Sequence, residues 1–440
     1  MKSRIFAWLL ALILLSACAL ALPGESGWVP LGGEPEKGKG PAAGKEMKEY
    51  RIITATDLHY ISPVLTDQGE YFTNLVTYAD GKAMPCIEEI TEAFTDRVIS
   101  EAPDLVILSG DLTFNGAVKS HTDMAAKLSR IEKAGIPVLV IPGNHDIGRS
   151  SAAMFRGKNF TRVPSPDAEL FRRIYRDFGP DEAASLDPVS GSYTWRAGED
   201  LLILMLDTNS GAENALPEAS FAWLEQVLSE ARERKERVIA VSHQNLYIHN
   251  KAYFRGVVID NAPGAAALYE KYGVLLNLSG HMHMQHLEED YGVPDMATSS
   301  LAVYPHHYGL ITVSKEGLVY ETRDLSVSAW ARERGSEDPR LLDFENWSRT
   351  FFEKTMERQA AARAAGAEGF TKAEKKRMAE AMVRVTSAYF RGEPLDMDTV
   401  REAMDLWNRV PGAGYGAYVE SIRRDLEKDH RHLEIRTGRD

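Results

Sequence analysis

Six short apolar runs, most of them rich in β-branched residues, constrain this chain most: Arg51 to Thr56, Leu105 to Ser109, Val138 to Ile141, Leu201 to Leu206, Val238 to Ser242 and Val274 to Leu278. Each has the length and composition of a strand, and runs so continuously apolar belong in a sheet covered on both faces. Helical patterns separate several of them, at Ile87 to Ser100, Val118 to Ala134 and Glu218 to Arg234. Residues from about 48 to 330 are therefore expected to form an α/β domain. From about 336 to 440 helix formers take over. Thr371-Lys-Ala-Glu374 and Thr399-Val-Arg-Glu402 both match the capping-box pattern. Met378, Met382, Val385 and Tyr389 share one helix face, as do Val400, Ala403, Met404 and Trp407. This predicts a separate C-terminal all-α domain of three or four helices. It is open to three roles: a lid on the site, a dimerisation element, or a buttress.

Residues able to bind metals stand just past the strand ends, where the loops of an open α/β sheet carry functional groups. They are Asp57 and His59 in Thr56-Asp-Leu-His59, Asp111 in Ser109-Gly-Asp111, and Asn144, His145 and Asp146 in Pro142-Gly-Asn-His-Asp146. His243 follows the run ending at Ser242, and His281 and His283 stand in Ser279-Gly-His-Met-His283. Any one of these motifs alone is more often a solvated loop than a ligand. Together they are specific, because five of the twelve histidines fall at strand ends inside them. Asp, Asn and neutral His suit divalent Mn, Fe, Zn or Ni. With only Cys18 and Cys86 in the chain, a thiolate site is excluded. A glycine precedes Asp111, Asn144 and His281, the device for a tight turn that leaves the next side chain pointing out of the sheet.

The ordered set D-x-H, G-D, G-N-H-D, H and G-H-x-H resembles the calcineurin-like metallophosphoesterase superfamily over residues from about 50 to 285. The wording TDLHY, SGDLTFNG, IPGNHD and SGHMH, with the helical C-terminal region, is similar to bacterial extracytoplasmic cyclic-nucleotide-phosphodiesterase-like members. The resemblance implies a two-sheet sandwich flanked by helices, with two divalent metal ions at the strand ends. Carried over, Asp57, His59 and His283 would hold one ion, Asn144, His243 and His281 the other, and Asp111 would bridge them. A shared carboxylate and hydroxide relieve the repulsion between two close dications, and the pair acidifies a water and clamps phosphate for in-line attack. His145 would face the substrate phosphate as proton donor or charge stabiliser, oriented by Asp146. Tyr60, Asn115, His306 and His307 are expected as substrate contacts. His121 is expected on a helix surface, and His249 and His286 on ordinary polar surface.

Three neighbouring groups of the superfamily fit less well. Purple acid phosphatases carry a metal-binding Tyr three residues after the G-D Asp, where this chain has Phe114. Exported nucleotidases continue the N-H motif with Glu, where this chain has Asp146. Nucleases of the superfamily act on a polyanion, and 51 basic against 64 acidic residues leave a net charge of −13 that does not gather one. The expected activity is hydrolysis of small phosphodiesters, cyclic nucleotides first, with a broad phosphomonoesterase as the alternative and a non-catalytic surface-binding lipoprotein as a remote one.

The N-terminus reads as an address. Lys2 and Arg4 precede the apolar run Ile5 to Leu15, long enough for a signal-peptide core and too short to span a bilayer. Leu15-Ser-Ala-Cys18 resembles the lipobox of bacterial lipoproteins, whose cysteine is diacylated. That implies a signal segment over 1–18 and a membrane anchor at Cys18, with ordinary secretion or an uncleaved anchor as alternatives. All three place the body outside the cytoplasm. Gly, Pro, Glu and Lys crowd residues 19–47, a composition that forms a flexible tether.

Overall fold

The computed structural model describes residues 48–252, 255–289, 292–410 and 415–436. The expected signal segment, Cys18 and the tether lie outside them.

Two sheets carry the fold. One runs in the order His432–Arg436, Gly317–Asp324, His307–Ser314, Tyr50–Ala55, Leu105–Leu108, Val138–Val140, the last three parallel to one another. The other runs His286–Glu288, Asp295–Ala297, Leu276–Ser279, Arg237–Ser242, Leu201–Leu206, Tyr193–Arg196, Ser185–Leu186. The six expected strands are all present, with ends shifted by a residue or two.

Period-2 alternation assigns each side chain to a layer. Ile52, Leu105, Ile107 and Leu139 point between the sheets, against Ile203, Met205, Ile239, Val241 and Leu278. Their neighbours Ile53, Val106 and Leu108 face outward onto the helices Ile87–Glu101 and Val118–Lys133. On the second sheet Leu202, Leu204 and Ala240 meet the helices Ser220–Glu233 and Ala262–Tyr272. Burying one such aliphatic side chain is worth roughly 1.5 to 3 kcal/mol. Every residue of Leu105–Leu108 and Leu201–Leu206 is buried, which fixes the register firmly and presents the strand ends as rigid platforms.

The C-terminal region contains the helices Phe344–Ala365, Lys372–Arg391, Arg401–Asn408 and Tyr415–Ile422. Thr371 and Glu374 form the expected capping box. The box expected at Thr399 and Glu402 does not form. Asp396 starts a short 3-10 turn there by accepting from Asp398 N at 3.0 Å, the Thr399 hydroxyl turns back to the Asp396 carbonyl, and the helix begins two residues later. Both expected apolar faces meet in one core, which includes Met378, Met382, Val385, Tyr389, Met404 and Trp407. The region is not helical to its end. His432–Arg436 pairs antiparallel with Gly317–Asp324, setting Leu433 opposite Tyr320 and Ile435 opposite Leu318 at the margin of the inter-sheet core. Cys86 is buried and has no disulfide partner among the described residues. Among the described residues no helix is long and apolar enough to cross a membrane.

Candidate metal centre

Backbone strain marks the site before any side chain is considered. Asp57, His59, Asp111, His281 and His283 all have positive φ, between 45° and 68°. Such conformations cost non-glycine residues on the order of 1 to 3 kcal/mol each and persist where the surroundings enforce them. Here each follows a strand, and the glycines allow the loops to close on one another. A Cβ at Gly143 would lie 2.2 Å from Asp111 Oδ1, and one at Gly280 would lie 2.0 Å from Thr56 Oγ1 and 2.7 Å from Asp57 Oδ2. Any side chain at either position would push a ligand loop away.

The loops bring all seven expected ligands together. His59 Nε2 and His283 Nε2 are 3.0 Å apart, with Asp57 Oδ1 at 3.6 and 3.3 Å from them. His243 Nε2 is 3.0 Å from Asn144 Oδ1 and 3.2 Å from His281 Nδ1. Asp111 lies between the groups, Oδ2 at 3.8 Å from His59 Nε2 and Oδ1 at 3.4 Å from His243 Nε2. Donors about 2.1 Å from one cation stand about 3.0 to 3.5 Å from each other, so these spacings fit ion binding. Among the described residues Asp57 Oδ1 is buried without a hydrogen-bond partner, while Oδ2 is occupied by Thr56 Oγ1 and His281 N, both at 2.8 Å. An orphaned buried carboxylate oxygen is costly unless a cation takes it.

The electrostatics agree. Burial pushes His59 down to about 3 and His281 to about 4, leaving their lone pairs free for a metal. For Asp57 and Asp111 burial alone would raise the pKa, but the surrounding imidazoles hold both carboxyls well below the usual range. At His243 burial loses to the Asp111 and Asp57 carboxylates, and its pKa rises to about 9. A cation binding there displaces that proton.

His145 stands outside both groups. Its Nδ1–H donates to the Phe114 carbonyl at 2.8 Å, which leaves Nε2 facing the site, 4.0 Å from Asp111 Oδ2, with 35% of the side chain exposed. Crowded surroundings lower its pKa; the Asp111 carboxylate opposes this, and the Lys82 and Arg149 charges reinforce it.

A model of the calcineurin-like phosphoesterase family matches residues 50–285, more than half of the chain. The chain belongs to the calcineurin-like phosphoesterase family. A second model, the C-terminal domain of cyclic nucleotide phosphodiesterase, matches residues 326–429. The chain is similar to the serine/threonine-protein phosphatase CPPED1 of Homo sapiens, 26% identical over 263 residues that cover 56% of this chain and 74% of the relative. Among solved structures it is similar to a dimetal phosphatase from Danio rerio, with a TM-score of 0.43 and 14% identity over 62% of this chain and 96% of that one. The family uses a dimetal centre, and the Asp and His groups gathered here are able to hold metal ions.

Several residues expected at the family's site are turned elsewhere. Asp146 does not touch His145. Its Oδ1 accepts from Thr113 N and Oγ1, both at 2.9 Å, and its Oδ2 from Leu112 N at 3.0 Å and Gly143 N at 2.9 Å. The turn closed by Asp146 N on the Gly143 carbonyl sends adjacent side chains in opposite directions, so Asp146 clamps the two ligand loops from beneath. Burial beside Asp111 pushes its carboxyl up, against those four donors. Tyr60, one residue after His59, faces the core, and its ring lies 5.3 Å from Lys127 Nζ. The Asn115 amide donates to the Ala153 carbonyl at 3.2 Å and the residue is buried. His306 Nδ1 donates to the Leu301 carbonyl at 2.8 Å, and His307 Nε2 pairs with Asp324 at 2.7 Å. Both rings are buried in the fold rather than lining the site.

Three histidines expected on the surface are buried. His121 Nε2 donates to the Asp146 carbonyl at 2.9 Å, and burial pushes the ring down to about 4. His249 and His286 meet Nδ1 to Nδ1 at 2.9 Å, His249 Nε2 reaches Asp295 at 3.1 Å, and His286 stacks on His430 at 4.1 Å. The C-terminal region covers them: Met282 and Met284, flanking His283, pack into its helical core, and Gln285 N donates to the Phe390 carbonyl at 3.1 Å. This packing supports the His281 to His283 loop from the C-terminal region. Asp80 and Lys82 belong to no motif; a bridge between Lys82 and Val303 sets them beside the segment whose Ser300 hydroxyl bonds the Asp57 carbonyl.

Proposed function

We propose that this chain hydrolyses phosphodiesters, with cyclic nucleotides as the substrate class. The observation that carries the phosphoesterase reading is the shared Asp111, whose two oxygens face two groups of ligand atoms. When bound, two divalent cations supply an acidified water nucleophile and offset charge on the phosphate. Asp57 and Asp111, two carboxylates among histidines, hold that charge in place. His145 Nε2, once protonated, points toward the site and can pass its proton to the leaving oxygen as the P–O bond breaks. The Phe114 carbonyl keeps Nδ1 protonated and so keeps Nε2 as the atom that exchanges the proton.

The diester preference draws support from the C-terminal match to cyclic nucleotide phosphodiesterase. A second reading, phosphomonoester hydrolysis, is favoured by the likeness to CPPED1, which is named as a serine/threonine-protein phosphatase. The deciding experiment compares cyclic AMP, bis(p-nitrophenyl) phosphate and p-nitrophenyl phosphate on protein loaded in turn with Mn, Fe, Zn and Ni. Diesters are expected to turn over faster. Exclusive monoester hydrolysis would replace the first reading by the second, and no turnover with fully bound metal would make the chain a binding protein.

We further propose export with lipidation at Cys18, which rests on the lipobox resemblance of Leu15 to Cys18. Two acyl chains on one cysteine anchor durably where one does not. Mass spectrometry of the mature amino terminus is expected to find a diacylglyceryl Cys18. An unmodified terminus at Ala19 or beyond would remove the anchor and leave export standing.

A further inference from the structure

Lys82 is far from every motif in sequence, and backbone contacts bring it beside one. It pairs with Val303 in a single antiparallel bridge, and Ala83 N donates to the Ala302 carbonyl at 2.8 Å. From the same segment the Ser300 hydroxyl reaches the Asp57 carbonyl at 2.7 Å, and Leu301 N reaches the Thr56 carbonyl at 3.1 Å. Lys82 and the ligand Asp57 thus border the same four residues, Ser300 to Val303.

The Lys82 side chain is only 7% exposed, and among the described residues its one hydrogen-bond partner is the Asp80 carboxylate. An ammonium has three N–H donors, so two are left unused where water is scarce. Through the Ser300 to Val303 segment the pair stands within electrostatic range of the site: the Lys82 charge acts on His59 and His145, and the Asp80 charge on His283 and His59. The C-terminal helix Phe344–Ala365 fixes the turn that carries both residues. Gln359 Nε2 donates to the Ala79 carbonyl at 2.7 Å and Arg358 to the Thr77 carbonyl at 3.3 Å. Gly81 has φ +87°, and a Cβ there would lie 2.8 Å from the Phe352 ring.

We propose that Lys82 is a substrate-binding residue, its Nζ donating the two unused hydrogens to non-bridging oxygens of the phosphate ester while Asp80 holds the ammonium in position. This deepens the phosphoesterase reading and rests on it. Anionic phosphate oxygens are the acceptors that suit a desolvated ammonium, and charge-assisted hydrogen bonds of this kind are among the strong ones.

The test compares metal-loaded wild type with Lys82→Met, Lys82→Arg and Asp80→Asn. Inhibition by inorganic phosphate, KM and kcat on the best ester, and metal content are measured together. Lys82→Met is expected to weaken phosphate binding and raise KM about 10- to 100-fold, the scale of one charge-assisted hydrogen bond, with metal content unchanged. Lys82→Arg should recover part of the loss, and Asp80→Asn should fall between. A measurement on wild type covers the case in which Lys82→Met fails to fold: added phosphate should shift the Lys82 Nζ signal in nitrogen-15 NMR of lysine-labelled protein. Unchanged phosphate affinity in a folded Lys82→Met, or an unmoved Lys82 signal at saturating phosphate, overturns the proposal and leaves the phosphoesterase reading intact. A wild type that binds metal yet turns over no ester overturns both.

Discussion

Asp111→Ala is expected to lose roughly 1,000-fold or more in kcat/KM, on the scale of the several kcal/mol that metal-ion catalysis contributes. The loss should exceed that at any single outer ligand, because Asp111 Oδ1 and Oδ2 lie 3.4 Å and 3.8 Å from ring nitrogens of different groups. Removing the carboxylate deprives both positions of a donor and leaves two dications without the anion that relieves their repulsion. It also frees His145 N, which donates to Asp111 Oδ1 at 2.7 Å, so the proton-donor loop should loosen too. Elemental analysis of the purified variant should show fewer metal ions per chain than wild type. Near-normal rates at full metal content would rule out the shared role.

His145→Ala is expected to keep both metals and lose roughly 100- to 10,000-fold on esters with a poor alkoxide leaving group, the usual scale of general acid catalysis. The ring hydrogen-bonds to none of the metal-site side chains: Nδ1 is tied to the Phe114 carbonyl, Nε2 is 4.0 Å from the nearest Asp111 oxygen, and the ring meets the cluster only edge-on against the His59 ring, centroids 4.9 Å apart. Esters with p-nitrophenolate, which departs without a proton, should suffer much less. A leaving-group series on both proteins at matched metal content should therefore give a steeper dependence on leaving-group pKa in the variant. Parallel lines would assign His145 to charge stabilisation instead, since that role lowers all rates by a similar factor. Loss of a metal in the variant would place His145 among the ligands.

The sequence alone determined the sheet strands and singled out the seven Asp, Asn and His residues at their ends that the fold gathers into one cluster. Both are local: Leu201–Leu206 is a strand because six consecutive residues are apolar and covered on both faces, and each of the seven stands within a few residues of such a run. Tertiary structure decided what local pattern does not encode. Asp146 follows His145 directly, yet the turn between them sends one side chain to the site and the other beneath it. Tyr60 follows His59 and is turned into the core in the same way. The strand His432–Arg436 has only Leu433 and Ile435 as its apolar signal, and becomes a strand because the edge of Gly317–Asp324 awaits it. His249 and His286 look polar and exposed in sequence, but Tyr389 and His430 of the C-terminal region pack against them. Lys82 is set beside the segment Ser300 to Val303, which bonds the Asp57 loop, by a bridge to a residue more than two hundred positions downstream. Periodicity reports which face of an element is apolar; which distant segment then covers that face is settled only when the whole chain packs.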